Sequence, residues 1–240
     1  MIRIFRHIAC EGPGQLAEVL QQRQIDFELI AIDQGQAVPD TLDGVSGLVF
    51  LGGPMSVNDE LDWIDNEVSL IKQAHQAGVP MLGFCLGSQL ICKALGGEVM
   101  RGKSGQEIGW HGVQRVNGRA AEQWLAGIPS SFQAFHWHGE TFTLPAGAER
   151  ILSSQAYPNQ GYAIGKTLAL QCHIEVSAAM VREWAGLYTD DLAQGGQWNQ
   201  SVNEITADLE HRISELGLLA RPLLATWLEG VYEEKTECSV

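Results

Sequence analysis

A single cysteine, Cys85, stands between two glycines in the run Gly83-Phe84-Cys85-Leu86-Gly87. The apolar residues before it form a short strand-like run, and those after it recur at helical spacing. A nucleophile at so tight a strand-to-helix turn is expected to adopt a strained backbone conformation, which requires neighbours almost without side chains. Its thiol lies at a helix N-terminus, where the helix dipole favours the thiolate. The N–H of Leu86 is then expected to point at the attacked group, as half of an oxyanion hole.

The cysteine pattern alone fits a buried cysteine in a βα turn equally well, because free cysteines are commonly buried. A second pattern lies near residue 170, where an apolar strand is followed by His173 and Glu175. Residues two apart in an extended chain project on the same side. His173 can therefore accept the proton of a nucleophilic thiol while Glu175 orients it. Taken alone, this pattern fits an edge-strand histidine beside a solvated glutamate better.

Three motifs together resemble those of class I glutamine amidotransferases, in the stand-alone branch close to the glutaminase domain of GMP synthases. They correspond to the oxyanion strand, the nucleophile and the base, and they read Leu51-Gly52-Gly53-Pro54, Gly83-Phe84-Cys85-Leu86-Gly87-Ser88-Gln89 and Gln171-Cys172-His173-Ile174-Glu175. The resemblance covers about residues 45–176 well. The family usually has Phe and Pro on either side of the histidine, where this chain has Cys172 and Ile174. Both positions neighbour the catalytic ones, so the departure does not put activity in doubt.

The resemblance implies a catalytic triad of Cys85, His173 and Glu175. It also implies that the Gly53 N–H is the second oxyanion donor, beside that of Leu86. A glycine before Pro54 allows the backbone to approach a substrate closely, although an ordinary loop after a strand has the same sequence.

Further residues are candidates for substrate binding. By the resemblance, Gln89 and the backbone at Gly109 and Trp110 hold the substrate glutamine; a polar helix-edge residue and a β-turn with a packed tryptophan are the alternatives. His136 and His138 face one way on a predicted strand, as two metal ligands would, but the sequence shows no evident third ligand. We therefore expect no metal and interpret both histidines as structural or cavity-lining. Trp110 and His138 are the candidates for the leaving-group side.

Composition excludes several classes of partner. The net charge of −14 argues against nucleic acid or an anionic membrane as a partner. No apolar run approaches the ~18 residues of a membrane span, and the N-terminus reads as a strand rather than a signal peptide. The cysteines are scattered without a C-x-x-C pair, which indicates neither a disulfide framework nor a zinc site and favours the reducing cytoplasm. They are Cys10, Cys85, Cys92, Cys172 and Cys238.

Alternating strand and helix patterns predict an α/β fold with a mostly parallel sheet and helices on both faces. By the resemblance this is the flavodoxin-like arrangement of the amidotransferase family. Strands are predicted at residues 2–9, 27–32, 45–51 and 79–84. Residues 98–171 read as β-rich, with a small antiparallel layer, and residues 177–233 as helical, with a long helical pattern over 202–218. We expect one domain over 1–240, with a catalytic core of about 1–176 and a C-terminal helical extension of about 177–240.

The expected activity is hydrolysis of the glutamine side-chain amide through a cysteinyl γ-glutamyl thioester, giving glutamate and ammonia without any cofactor. The sequence does not identify the acceptor of the ammonia. It also leaves undecided whether that acceptor binds to a separate synthase subunit. One alternative is a γ-glutamyl peptidase or hydrolase that acts on γ-glutamyl peptides or amine conjugates and needs no partner. A non-catalytic binding module is a third, opposed by the intact Cys85, His173 and Glu175. The C-terminal extension is expected to pack against the sheet or to form a homodimer contact.

Overall fold

The computed structural model describes residues 1–232, so Cys238 lies outside the described part of the chain. Its strands are β1 (Ile2–Arg6), β2 (Phe27–Ala31), β3 (Gly47–Phe50), β4 (Met81–Phe84), β5 (Val99–Arg101), β6 (Glu107–Arg115), β7 (Ser131–His138), β8 (Glu140–Phe142), β9 (Glu149–Ser154), β10 (Gly161–Ile164), β11 (Thr167–Leu170) and β12 (Trp198–Asn199). Its helices are α1 (Gly14–Gln22), α2 (Asp62–Gln76), α3 (Leu86–Ala94), α4 (Arg119–Trp124), α5 (Ala178–Leu187), α6 (Thr189–Gln194), α7 (Val202–Thr206) and α8 (Leu209–Tyr232).

The centre of the main sheet is parallel. Its strands lie in the order β2, β1, β3, β4 and β11. Beyond β11 the sheet continues through the antiparallel strands β10, β9, β6 and β7, and β12 adds a short parallel pair to β6. β5 and β8 form a separate two-stranded antiparallel sheet. The predicted α/β class with a mostly parallel sheet and a small antiparallel part is confirmed.

The two faces of the sheet are covered by different helices. Successive strand residues point to opposite faces, so Ile4 packs in the cluster that contains residues of α1, α5 and α8, whereas Phe5 packs in the one that contains residues of α2 and α3. Val49 and Phe50 of β3 divide in the same way. Helices therefore lie on both faces, as the sequence predicts.

Short-range signals set several helix ends. The Ser177 hydroxyl accepts the Met180 N–H at 3.3 Å and caps the start of α5. Ser201 and Glu204 form a capping box at the start of α7. Gly78, with φ of 71°, follows the last turn of α2. A left-handed residue at this position is the usual end of a helix, and glycine adopts it without strain.

The C-terminal region differs in detail from the prediction. In place of one long helix over 202–218, α7 ends at Thr206 and α8 runs from Leu209 to Tyr232. The break comes at Asp208, whose φ of 51° is incompatible with a continuous helix. α8 packs against α1 and tolerates Pro222 within it. In the described part of the chain, no helix combines the length and apolar character that crossing a membrane requires.

The turn between β4 and α3 leaves no room for side chains at its glycines. A Cβ on Gly83 would lie 2.7 Å from the carbonyl carbon of Gly87. A Cβ on Gly87 would lie 2.0 Å from the carbonyl oxygen of Phe50 in β3. Both distances are far below van der Waals contact with rigid backbone atoms, so α3 can approach the sheet this closely only with glycine at both positions.

Gly87→Ala is therefore expected to lower the free energy of unfolding by about 3 kcal/mol or more, because the backbone must move to admit the methyl group. Gly186→Ala is the matched control, since no atom lies within 4 Å of the added Cβ and the position is helical. The control should gain up to about 1 kcal/mol. Urea unfolding followed by circular dichroism measures both. Equal stability of Gly87→Ala and the unmodified protein would contradict the packing argument.

Candidate active site

Cys85 has the strained backbone that the sequence predicts. Its φ of 46° and ψ of −108° are unusual for a residue other than glycine. Its N–H donates to the carbonyl of Leu170 at 2.8 Å, which ties the turn to β11. Cys85 is 6% exposed and immediately precedes α3. Leu86 is the first residue of that helix, where backbone N–H groups have no intrahelical acceptor.

His173 lies just beyond β11, and its side chain is hydrogen-bonded to that of Cys85. Its Nδ1 lies 2.6 Å from Oε1 of Glu175, and both side chains are buried. The backbone N–H and carbonyl of His173 both form hydrogen bonds with the backbone of Phe135. Its ring packs edge-on against that of Trp184, with the two ring centroids 4.9 Å apart. Burial opposes the charged ring, but the Glu175 carboxylate and a hydrogen bond with the Cys85 side chain raise the pKa of His173 well above its usual value. The arrangement favours the charged imidazolium form of His173.

Two glutamines connect α3 to the sulfur. The Gln89 amide donates to Oε1 of Gln171 at 3.0 Å, and the Gln171 amide donates to Sγ of Cys85 at 3.5 Å. A donor aimed at the sulfur stabilises negative charge there. Gln171 belongs to the base motif, but the sequence predicts no role for it by itself. Its position two residues before His173 on an extended segment was the available signal, since both side chains project the same way.

The loop after β3 is held by a buried ion pair that the sequence did not reveal. Nδ1 of His7 lies 3.0 Å from the Leu51 carbonyl oxygen and 3.2 Å from that of Gly52, and its Nε2 lies 3.1 Å from Glu67. Burial opposes the charge, yet Glu67 raises the pKa of His7. Both ring nitrogens can then donate. The one sequence signal for His7 was its place at the carboxyl end of β1.

Gly53 lies beside Leu86, the residue expected to be the other oxyanion donor. A Cβ on Gly53 would lie 2.9 Å from Cδ2 of Leu86 and 3.1 Å from Cβ of His7. Gly53 therefore lies between the Cβ of His7 and the side chain of Leu86 at the start of α3. Only a residue without a side chain fits there unless Leu86 moves.

A cavity of about 660 Å³ opens above Cys85. It is lined by Gly53, expected as an oxyanion donor, and by Gln89 and His138, expected as substrate-binding residues. The walls also include residues that were not predicted, namely Glu11, Arg101, Trp137, Glu140, Tyr188 and Asp191.

Gly109 and Trp110 do not line this cavity, which corrects their expected placement. Trp110 is 3% exposed, and its ring centroid lies 5.1 Å from that of Phe135. Its indole N–H donates to the Ile205 carbonyl. The backbone of Gly109, with φ of 108°, packs against the Gln200 side chain. Alternation along β6 turns the Trp110 side chain into the core, so Trp110 does not face the leaving-group side of the cavity.

His136 and His138 have a third acidic neighbour, contrary to the expectation that none was evident. Glu107 Oε2 lies 3.3 Å from Nδ1 of His136 and 3.1 Å from Nε2 of His138, and it accepts the Gln160 amide at 2.6 Å. Burial lowers the pKa of His136 to about 4. The Glu140 carbonyl lies 2.9 Å from Nδ1 of His138. The cluster links β6 and β7 to the cavity wall through His138.

The other described cysteines are poor nucleophiles. Burial raises the pKa of Cys92 to about 12 and raises that of Cys10, and burial with the charge of Glu175 raises that of Cys172. Neither Cys92 nor Cys172 lines the cavity above Cys85.

An electrophilic glutamine analogue should accordingly label Cys85 and leave the other cysteines, Cys238 included, unmodified. The reason is that thiolate, not thiol, reacts, and Cys85 alone of the described cysteines combines cavity access with a neighbouring imidazole. Peptide mapping by mass spectrometry locates the label, and excess glutamine should protect against it. A label on Cys172 would overturn the assignment of the nucleophile.

Comparison with known proteins gives consistent results. The family model for class-I glutamine amidotransferases matches residues 14–181. The crystal structure of a glutamine amidotransferase from Methylobacillus flagellatus superposes with a TM-score of 0.91 at 37% identity, covering 95% of this chain and 94% of that one. A glutamine amidotransferase-like protein of Salmonella typhimurium is 29% identical over 209 residues, which is 84% of this chain and 87% of the relative. One subunit of the glutamine-hydrolysing GMP synthase of Sulfolobus acidocaldarius is 34% identical over 132 residues, covering 55% of this chain and 66% of the relative.

Proposed function

The chain belongs to the class I glutamine amidotransferase family, and we propose that it hydrolyses the side-chain amide of glutamine through a γ-glutamyl thioester on Cys85. The observation that carries the proposal is the hydrogen-bonded series from Cys85, which lines the cavity, through His173 to Glu175. This series supplies the nucleophile, the proton carrier and the orienting carboxylate of covalent amide hydrolysis.

In the first half-reaction, the thiol proton of Cys85 passes to Nε2 of His173, and the resulting thiolate attacks the amide carbon. A carbon–sulfur bond forms, and the amide oxygen becomes an oxyanion. When the carbon–nitrogen bond breaks, His173 returns its proton to the leaving nitrogen, and ammonia departs. Glu175 takes no part in the proton transfer and fixes the ring so that Nε2 faces the sulfur.

In the second half-reaction, a water takes the place that ammonia has left. His173 removes a proton from it as the oxygen attacks the thioester carbon. The carbon–sulfur bond then breaks, glutamate is released, and His173 returns the proton to the sulfur. The reaction needs no cofactor, because every proton that moves is taken and returned by His173.

The oxyanion of both half-reactions is assigned to the N–H groups of Gly53 and Leu86. The assignment is supported by the contact between these residues and by the free first turn of α3. Each such donor contributes about 3–4 kcal/mol to transition-state stabilisation. His7 and Glu67 serve the chemistry indirectly, by fixing the carbonyls that precede Gly53.

The ammonia is proposed to pass to an acceptor enzyme on a separate chain. The similarity to the GMP synthase relative, whose name denotes a separate subunit, supports this arrangement.

Residues 1–176 and 177–240 are proposed to act as one domain, with the C-terminal helices available for packing or for a homodimer contact. The proposed setting is the cytoplasm.

A γ-glutamyl peptidase or hydrolase is the second candidate, favoured by one observation. The cavity of about 660 Å³ is larger than glutamine requires and has polar walls away from the sulfur, at Arg101 and Asp191. A peptide or amine conjugate would follow the same thioester chemistry with a bulkier leaving group. The amidotransferase assignment remains our proposal, because the three motifs belong to that family and none specifies a peptide.

Substitutions in the triad should differ in severity. Cys85→Ser and His173→Asn are each expected to lower kcat by roughly 10⁴-fold or more, since the pair acts as a unit. Glu175→Gln should cost at least tenfold less, because this carboxylate orients the ring and transfers no proton. Steady-state glutamate release measures all three, and circular dichroism checks folding. Equal loss in Glu175→Gln and His173→Asn would refute the orienting role.

The choice of donor separates the two candidate functions. For a partner-dependent amidotransferase, glutamate release from glutamine by the isolated chain should be slow, because one misoriented oxyanion donor costs about 10²–10³ in rate. The measurement is release of glutamate from glutamine and from a panel of γ-glutamyl dipeptides and amines. The Cys85→Ser variant provides the background rate. Rapid cleavage of γ-glutamyl peptides, with glutamine a poor substrate, would decide for the peptidase.

A further inference from the structure

A second buried carboxyl group, that of Glu11, lies beside the proposed base and has no role in the mechanism above. Glu11 follows β1, is 6% exposed and lines the cavity together with Cys85. The Tyr188 hydroxyl donates to its Oε1 at 3.2 Å. Glu11 thus joins the start of the chain to the end of α5 at the wall of the cavity.

The other oxygen of Glu11 faces the imidazole across Gly52. The position that a Cβ on Gly52 would occupy lies 2.1 Å from Oε2 of Glu11 and 3.1 Å from Cε1 of His173. The carboxylate and the ring edge therefore converge on one point, and only a glycine at position 52 leaves room for both. Nδ1 of the same ring is already bonded to Glu175. Two carboxyl groups thus surround one imidazole.

The charges around Glu11 come from several elements. His7 faces it from the end of β1, His173 and Glu175 from the segment after β11, and Tyr188 from the end of α5, with Cys10 beside it. Burial raises the pKa of Glu11 to about 7; His173, Tyr188 and His7 oppose the rise, and Glu175 adds to it. The carboxyl is thus poised to lose its proton near neutral pH, next to a ring that must carry charge during the reaction.

We propose that Glu11 is a positioning residue, whose carboxylate holds His173 in the charged state and orientation that the Cys85 thiolate requires. The proposal rests on the proposed nucleophile and base. Glu11 acts through His173 and has no bond to make or break. Its negative charge stabilises the imidazolium, in addition to the charge of Glu175.

The direct test is a titration of His173 by NMR, following its Cε1–Hε1 signal in the substrate-free protein and assigning it by its absence in His173→Asn. Glu11→Gln keeps the size of the side chain and an acceptor for Tyr188 but removes the charge. The pKa of His173 should fall by about 1–3 units, the usual effect of one opposite charge at this range. Glu183→Gln, which removes an exposed charge from α5, should leave the titration unchanged.

A second variant keeps the test valid if Glu11→Gln does not fold. Tyr188→Phe removes the hydroxyl that favours the ionised form of Glu11, so the pKa of His173 should move in the same direction by a smaller amount. An unchanged His173 titration in a folded Glu11→Gln, or in Tyr188→Phe if the first variant is unfolded, would overturn the proposal.

The readout also separates this inference from the proposed function. If the electrophilic glutamine analogue fails to label Cys85 while Glu11→Gln still shifts the His173 titration, the reaction assignment is wrong and the coupling of Glu11 to His173 stands. If labelling occurs and the titration does not move, the glutaminase assignment stands and Glu11 has only a structural role.

Discussion

The geometry of the site depends on one backbone constraint, the positive φ of Cys85 between two glycines that touch the sheet. The strain is of the order of 1–3 kcal/mol and persists only because surrounding contacts enforce it. Three of these contacts are visible: the N–H of Cys85 bonded to Leu170, Gly87 packed on the carbonyl of Phe50, and Gly83 packed on Gly87. Together they fix α3 against β3 and β11. The sulfur, the loop after β3 and the imidazole after β11 can then meet at the carboxyl edge of the parallel sheet, where such folds place their ligands.

Around this turn, the site contains pairs of buried, oppositely charged side chains. Burying either charge alone would be unfavourable, and each charge is stabilised by its partner. His7 pairs with Glu67, and His173 pairs with Glu175, each essentially without exposure. Removing one partner from such a pair typically costs about 3–5 kcal/mol, because the other charge remains buried. These pairs therefore contribute less to net stability than to fixing the side chains in place. Fixed donors and a fixed imidazole need little reorganisation when charge develops in the reaction.

Much of the site could be predicted from local sequence patterns, because the turn around Cys85 and the segment from Gln171 to Glu175 each consist of a few neighbouring residues. The glycines around Cys85 predict its strained backbone, and the two-residue spacing of His173 and Glu175 allows their pairing, although that pairing became an expectation only with the family resemblance. Glu11 and Glu67 could not be recognised, since their meaning depends on contacts with residues about 40 to 180 positions away. Trp110 was assigned to the cavity from the family pattern, although the alternation of β6 turns it into the core.

The two halves of the sheet have different tasks. The parallel half positions Cys85 and His173, whereas the opposite wall of the cavity comes from the antiparallel half, the small β5–β8 sheet and the segment after α5. That wall is cross-linked by Asp191, which accepts the Trp137 indole N–H at 3.0 Å and the Gln106 amide at 3.0 Å. This wall also reaches the strained turn, since the carbonyl oxygen of Trp137 lies 3.7 Å from the Cys85 sulfur. The wall proposed to meet the leaving group is therefore linked to the sulfur through the Trp137 backbone, and a change in this wall is expected to affect both the choice of donor and the proposed thioester chemistry.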